Sequence, residues 1–507
     1  MAISKMEDPP LRPTGNMERF NIVRSYVKFY NKVQVAATYT APRSILGKTS
    51  DSKTGFRNLI YSALAETLNT QPILGVTIED EGSQEPRWVR LETIDLCEIV
   101  KFIEEDPNSN PDSWIQAGHR EPLDRLEELP VWRVIVAVQG SARTATTDEE
   151  REGDTFSFTL AFFCHHAIGD GLSAGAFHLT LLDALNHLLD NPSTLVVTSE
   201  STTIPVPKLP LIPTLEMGTP LPISLFYALK KIFQTYIYSP VDPQEWSGPL
   251  IDPSGPRPPI CNLRSFTLDP AIVSKLVSRC REEKTSLTAL ITVLVARKLA
   301  LMYPTHSRFR GTIPFSMRKF TGHTQQDMGV FVSNAQPYFS SEATPPTGYI
   351  SCRSPPSSSK ENPTGPKDDK ELWHSARACK SFLNTTTSTP TNQNVGLLGY
   401  AHDLPNYFLG LLGTKRAHAF EVTNIGVLDG GVVDTPNNDF HKKERVTFNK
   451  VAFSGSVCTY GDPYCVSVAS ARGGELSVSV CWDGGVLGEE EVGVFVAGLE
   501  GWLRGLV

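Results

Sequence analysis

The 507-residue chain has no basic surplus: 47 Lys and Arg stand against 55 Asp and Glu, a formal charge of −8. That balance gives no electrostatic footprint for a nucleic acid, which is set aside as a partner. No run approaches the ~20 apolar residues that a bilayer span requires. The leader MAISKMEDPPLRPTGNMERF has neither an apolar stretch nor a cleavage signature, so it does not read as a secretory signal. Nine cysteines lie scattered without a C-x-x-C pair, as suits reduced thiols in the cytosol better than a disulfide frame. Also missing are a G-x-S-x-G nucleophile elbow, a P-loop, a dinucleotide fingerprint and an H-E-x-x-H helix. Nothing therefore points to ATP, NAD or a serine hydrolase, and the expected location is cytoplasmic.

What is present is the stretch FFCHHAIGDG at 162–171. Upstream, TFSFTLAFFC alternates apolar with small or polar side chains, the period-2 pattern of a strand with one buried face. Downstream, Leu172, Ala176, Leu179, Leu182, Leu185 and Leu189 recur at helical spacing. The two histidines thus fall in a strand-to-helix loop, where polar groups are held by regular structure yet reachable from a cleft. An imidazole there, with an ordinary pKa of about 6.5, can take a proton from a hydroxyl or amine and return it. Asp170 opens the helix and has two competing structural roles, as an N-cap or as a partner in a charge pair. Two satisfied core histidines are the bland alternative. A metal site is the other, but no further Cys or His stands at a spacing to complete one, so no metal is expected.

Elsewhere the chain alternates helical and strand patterns. ERFNIVRSYVKFYNKVQVAATYT and GFRNLIYSALAETLNTQPILGVTIED each read as helix into strand, and RWVRLETIDL and VWRVIVAV as strands. NPDSWIQAGHREPLDRLEELP reads as a charged loop, and ARTATTDEEREGD as a surface hairpin loop. Closely spaced prolines after residue 200 favour an extended crossing segment. It is followed by an apolar helical stripe of Leu225, Phe226, Leu229, Ile232, Phe233, Tyr236 and Ile237. The stripe reads first as a core helix, with a channel lid or membrane-surface helix as alternatives. Residues 341–370, rich in Pro, Ser and charge, read as a disordered insertion. The organisation expected is an N-terminal domain over 1–199, a linker with an amphipathic helix over 200–260, and a C-terminal domain over 261–507. These are two α/β domains with a cleft between them.

HHAIGDG resembles the HHxxxDG motif of the CoA-dependent acyltransferase superfamily, which includes chloramphenicol acetyltransferase, plant acyltransferases and peptide-synthetase condensation domains. Within it, the opening MERFNIVRSYVKFYNKVQVAATY, together with GTIPFSMRKF, MGVFVSN and FEVTNIG, resembles the alcohol acetyltransferases. The resemblance runs from about Met17 to the C-terminus and implies two chloramphenicol-acetyltransferase-like α/β domains with mixed sheets and an interdomain active-site channel. It also implies His166 as catalytic base and Asp170 as its structural aspartate, paired with an arginine for which Arg318 is the candidate. His165 and Gly171 would support the loop. Thr423 and Asn424 are candidates for stabilising the oxyanion, and Arg308, Arg310, Lys415 and Arg416 are available for the CoA phosphates. No D-F-G-W-G segment of the plant branch is present.

The function so implied is O-acylation, chiefly acetylation, of a hydroxyl on a hydrophobic small molecule by a monomer with no permanently bound cofactor. Acetyl-CoA or another acyl-CoA is the co-substrate. N-acylation of a lipophilic amine, a condensation-type reaction on a carrier-bound donor, and a non-catalytic binding role are the alternatives. Peripheral contact with the endoplasmic reticulum or lipid droplets stays open through the stripes at 19–30 and 223–237.

Overall fold

Alternation in TFSFTLAFFCH makes Thr155–His165 the spine of a five-stranded sheet. The computed structural model describes residues 11–30, 32–46, 52–105, 110–139, 155–194, 197, 201–233, 242–354, 369–432 and 444–507. The sheet runs in the order Thr447–Gly455, Lys32–Pro42, Thr155–His165, Trp132–Gln139, Val100–Glu105. The antiparallel register sets Lys32 against His165, Val35 against Phe162 and Tyr39 against Phe158. Because side chains alternate across a sheet, this register puts Val35, Tyr39, Phe158 and Phe162 on one face, all fully buried. The helix Gly171–Asp190 lies on that face, and Phe177 stacks on Phe162 with ring centroids 3.8 Å apart.

A second, nine-stranded sheet runs from Cys261–Leu268 through Leu476–Asp483, Tyr464–Ala471, Phe420–Leu428 and Arg308–Ser316 to Tyr338–Ser340 and Tyr349–Ser351. Val332–Ala335 and Glu245–Trp246 also pair with Arg308–Ser316. Phe420–Leu428 pairs in parallel on both sides, whereas Leu476–Asp483 pairs antiparallel on both. The architecture is therefore mixed-sheet α/β with two large apolar cores, one under each sheet. The halves are also stitched together. Strand Thr447–Gly455, from late in the chain, forms an edge of the first sheet, and its Phe448, Val451 and Phe453 join the first core.

Three expectations change. The segment read as a charged loop contains a helix, Asp112–Arg120. Its Ile115 faces the core, and Asp112 accepts hydrogen bonds from Ser265 N (2.7 Å) and Ser265 Oγ (2.6 Å), so tertiary partners stabilise a helix that local pattern barely signals. The insertion at 341–370 is ordered over 341–354, where Tyr349–Ser351 pairs in parallel with Tyr338–Ser340; residues 355–368 lie outside the described residues. The hairpin expected within 142–154 also lies outside them.

The third concerns the apolar stripe. Helix Leu225–Ile232 turns its polar side to the protein, where Tyr227 OH donates to Asn394 Oδ1 at 2.7 Å. Leu225, Phe226 and Leu229 are 75%, 79% and 56% exposed, so this is not a core helix; Tyr236 and Ile237 lie outside the described residues. Phe226→Ser is accordingly expected to change unfolding free energy by no more than about 0.5 kcal/mol. A core phenylalanine would cost ~3–5 kcal/mol, which urea unfolding distinguishes readily. No single helix among the described residues is long and apolar enough to cross a membrane.

Candidate active site

The loop after Thr155–His165 is closed by its own first histidine. His165 Nδ1 accepts from Ala167 N–H at 3.0 Å, and its carbonyl accepts from Ile168 N–H at 3.0 Å. The ring is 1% exposed, and burial, then the neighbouring His166 and Arg24, lower its pKa to about 3. A neutral ring that accepts through Nδ1 suits a turn-forming role. Gly171 is required by close approach: a Cβ there would stand 2.6 Å from Ile425 Cγ2 and 3.0 Å from Phe453 Cζ. The loop thus abuts both Phe420–Leu428 and Thr447–Gly455, one strand from each sheet.

Asp170 caps the helix and accepts from Ser173 N at 2.9 Å. It also accepts from Ser173 Oγ (3.0 Å), Phe331 N (3.1 Å), and Arg318 Nη1 and Nη2 (2.8 and 3.0 Å). The two competing roles, cap and ion pair, are held at once. Arg318 arrives through the turn that follows Arg308–Ser316, and its Nη2 reaches Ser173 Oγ (2.9 Å) and the Asp327 carbonyl (3.2 Å). Burial alone would raise the carboxyl's pKa; the guanidinium and the backbone donors outweigh it and hold the group below its ordinary value. Asp170 is therefore an ionised, fully occupied strut.

His166 is placed differently. It keeps partial accessibility while its neighbours in the loop are buried. Asn21, from the helix Asn16–Tyr26, donates through Nδ2 to the His166 carbonyl at 2.9 Å and lies 3.5 Å from Nδ1. The Tyr30 ring stands 5.6 Å from the imidazole. Burial and then the Arg24 cation lower the ring's pKa to about 4, against opposing contributions from backbone hydrogen bonds and Asp170. The imidazole is consequently unprotonated through the neutral range and free to accept a proton.

The remaining candidates are committed elsewhere. Thr423 donates to Glu421 Oε1 at 2.8 Å, and Asn424 Nδ2 donates to Thr288 Oγ1 at 3.0 Å while its Oδ1 accepts from Gly426 N. Thr423 would have to give up its bond to meet an oxyanion, whereas Asn424 has a second amide N–H. Arg308 is spanned by Asp242 (2.8 Å) and Glu342 (3.0 Å), Lys415 donates to the Glu245 carbonyl, and Arg310 to Gln336. Arg416 is buried and serves the Thr459 and Gly461 carbonyls. Among the described residues no three His, Cys, Asp or Glu side chains gather as a metal would need. Sequence reasoning missed Asn21, Arg24 and Tyr30, although it quoted the segment that carries them. It also missed Glu421, whose carboxyl burial raises to about 7.

Residues 124–339, which include the histidine loop and Arg318, match the alcohol acetyltransferase family model. The chain is 25% identical to a probable alcohol acetyltransferase of Fusarium pseudograminearum, over 98% of this chain and 95% of that one. It is 26% identical to a probable alcohol acetyltransferase of Aspergillus fumigatus, over 93% and 95%. Among solved structures, trichothecene 15-O-acetyltransferase of Fusarium sporotrichioides shares the fold with a TM-score of 0.66 at 11% identity, over 98% of this chain and 95% of that one. The first condensation domain of the calcium-dependent antibiotic synthetase does so with a TM-score of 0.57 at 13% identity, over 98% and 97%. A histidine loop of this build, in a chain similar over nearly its whole length to such enzymes, is that of an acyltransferase, and over residues 124–339 the chain resembles the alcohol acetyltransferase family.

Proposed function

We propose that the chain transfers an acetyl group from acetyl-CoA to the hydroxyl of a hydrophobic small molecule, with His166 as general base in a channel between the halves. The observation that carries this reading is the contrast within one loop: His165 and Asp170 are buried and bonded, whereas His166 is half-buried and unprotonated. The names of the relatives support a hydroxyl acceptor, since two are probable alcohol acetyltransferases and the structural neighbour is a 15-O-acetyltransferase.

In this mechanism the acceptor O–H proton moves to the His166 ring as the oxygen attacks the thioester carbonyl carbon. The tetrahedral oxyanion collapses, the C–S bond breaks, and the imidazolium returns the proton to the CoA thiolate. A ring of lowered pKa is a weak base in the free enzyme. Its proton affinity rises as negative charge develops beside it, so the ion pair forms only along the reaction path. Nδ1 lies on the Asn21 side, leaving Nε2 to meet the acceptor.

The test is release of free CoA thiol from acetyl-CoA with a panel of hydrophobic alcohols and matched amines. Release that requires an alcohol supports the reading. Release with amines alone makes the enzyme an N-acyltransferase, and none with either means that the acyl donor is different.

A further inference from the structure

We infer that Asn21 and Arg24 are positioning residues for His166, acting in series from the N-terminal helix to fix the orientation and the charge state of its ring. The inference rests on His166 being the base, and it adds the groups that prepare it. Asn21 and Arg24 are separated by three positions, so a helix sets them on one face. Arg24 Nη2 donates to Asn21 Oδ1 at 2.6 Å. That bond decides the amide's orientation: with Oδ1 occupied by the guanidinium, Nδ2 must face the histidine, where it grips the carbonyl at 2.9 Å and stands 3.5 Å from Nδ1. Reversed, the amide would set its oxygen against the His166 carbonyl, and two acceptors would repel.

Arg24 is itself held rigidly. Its guanidinium lies 4.1 Å from the Tyr30 ring centroid and 5.4 Å from that of Phe20. A planar cation held between two rings and bonded to Asn21 has little freedom to turn, so the orientation it imposes on Asn21 persists. Tyr30 also faces the imidazole, which places the stacked pair directly beside the reacting side chain.

The charge acts as well as the hydrogen bond. After burial, Arg24 is the largest influence lowering the His166 pKa, because a fixed cation disfavours an imidazolium nearby. The other groups around the ring are Tyr30 from the N-terminal segment and His165 and Asp170 from its own loop. Glu421 on Phe420–Leu428, and Tyr460 and Cys458 beyond Thr447–Gly455, bear on Arg24. Of these, Asp170 is neutralised by Arg318, and Tyr30 and Tyr460 are held uncharged by burial. Glu421 ionises only near pH 7 and then offsets part of the Arg24 field. Below neutrality the guanidinium is the one unbalanced charge facing the ring among these groups.

The experiment separates orientation from charge with Asn21→Ala, Arg24→Gln and Arg24→Lys, each checked for folding by its melting temperature. The first readout is the pH midpoint for modification of His166 by diethyl pyrocarbonate, mapped by mass spectrometry, which needs no acceptor and reports the unprotonated ring. Arg24→Gln is expected to raise that midpoint by about one pH unit, and Arg24→Lys, which keeps the charge, to leave it near the wild-type value. The second readout is kcat against KM in CoA thiol release with the acceptor alcohol. Asn21→Ala is expected to lower kcat about tenfold or more with little change in KM, as misorientation of a reacting group does. A midpoint unchanged in Arg24→Gln, or a kcat within about twofold of wild type in Asn21→Ala, overturns the inference. Failure of the base reading looks different: His166→Ala would keep its turnover, whatever the modification midpoints report.

Discussion

His166→Ala is expected to lower kcat by ~10²–10⁴-fold, the contribution that proton transfer by a positioned base makes to such a step. The loss should appear equally in kcat and kcat/KM, because a general base of the kind proposed acts in the transition state and not in binding the donor. Little structural cost accompanies it. The contact that Asn21 makes at 2.9 Å is with the backbone carbonyl, which alanine retains, and the ring itself is not part of either apolar core. The residual rate would come from holding donor and acceptor together. The acid limb tests the same group: since the ring loses its proton above about 4, kcat/KM should stay level through the neutral range and fall as pH approaches that value. Thiol release from acetyl-CoA, followed for wild type and variant between about pH 4 and 8, measures both effects. A variant retaining more than about a tenth of the wild-type rate would remove His166 from the chemistry.

How much of this was legible differs from element to element. The strand, loop and helix around 155–190 were plain, because period 2 gives way to helical spacing across two histidines and an Asp-Gly. The partnership of Asp170 with Arg318 spans 148 residues, and no local pattern can carry it; it came from the resemblance. Asn21 and Arg24 stood in a quoted segment, yet an Asn and an Arg three apart on a helix are commonplace until a histidine is seen opposite. Helix Leu225–Ile232 shows the converse limit. Its amphipathic pattern was read correctly, but periodicity reports that a face is apolar and not what the face meets, and here Asn394 holds the polar side inward. The three-residue strand Tyr349–Ser351 exists by virtue of its neighbour in the sheet, so composition could only misread it. The crossing of Thr447–Gly455 into the first sheet likewise has no sequence signature.

Arg318→Met is expected to destabilise the protein by about 3–5 kcal/mol near pH 7, the cost of removing one partner of a buried ion pair. Arg318 and Asp170 are 4% and 5% exposed, so water cannot replace the lost guanidinium. The remaining donors to Asp170, from Ser173 and Phe331, are neutral. Arg318→Lys should fall between, since one ammonium cannot make two parallel bonds to the carboxylate and also reach Ser173 and the Asp327 carbonyl. The sign of the pH dependence separates this pairing from simple loss of packing. In the wild type the Asp170 pKa lies below its unfolded value of about 3.9, so its contribution is complete above that pH and is lost as pH falls through the folded value. In Arg318→Met, burial is opposed only by the hydrogen bonds from Ser173 and Phe331, so the carboxyl takes up a proton at a higher pH than it does in the wild type. Acidification towards about pH 4 then relieves the variant, while the wild-type contribution of this pair is still in place. Urea midpoints measured near pH 7 and near pH 4 should therefore converge as pH falls. A gap of constant size would show that Asp170 gains nothing from the guanidinium. Activity should drop with stability, because the Asp170 strut fixes the loop that presents His166, and a displacement of about 1 Å there is enough to cost roughly 10²-fold in rate.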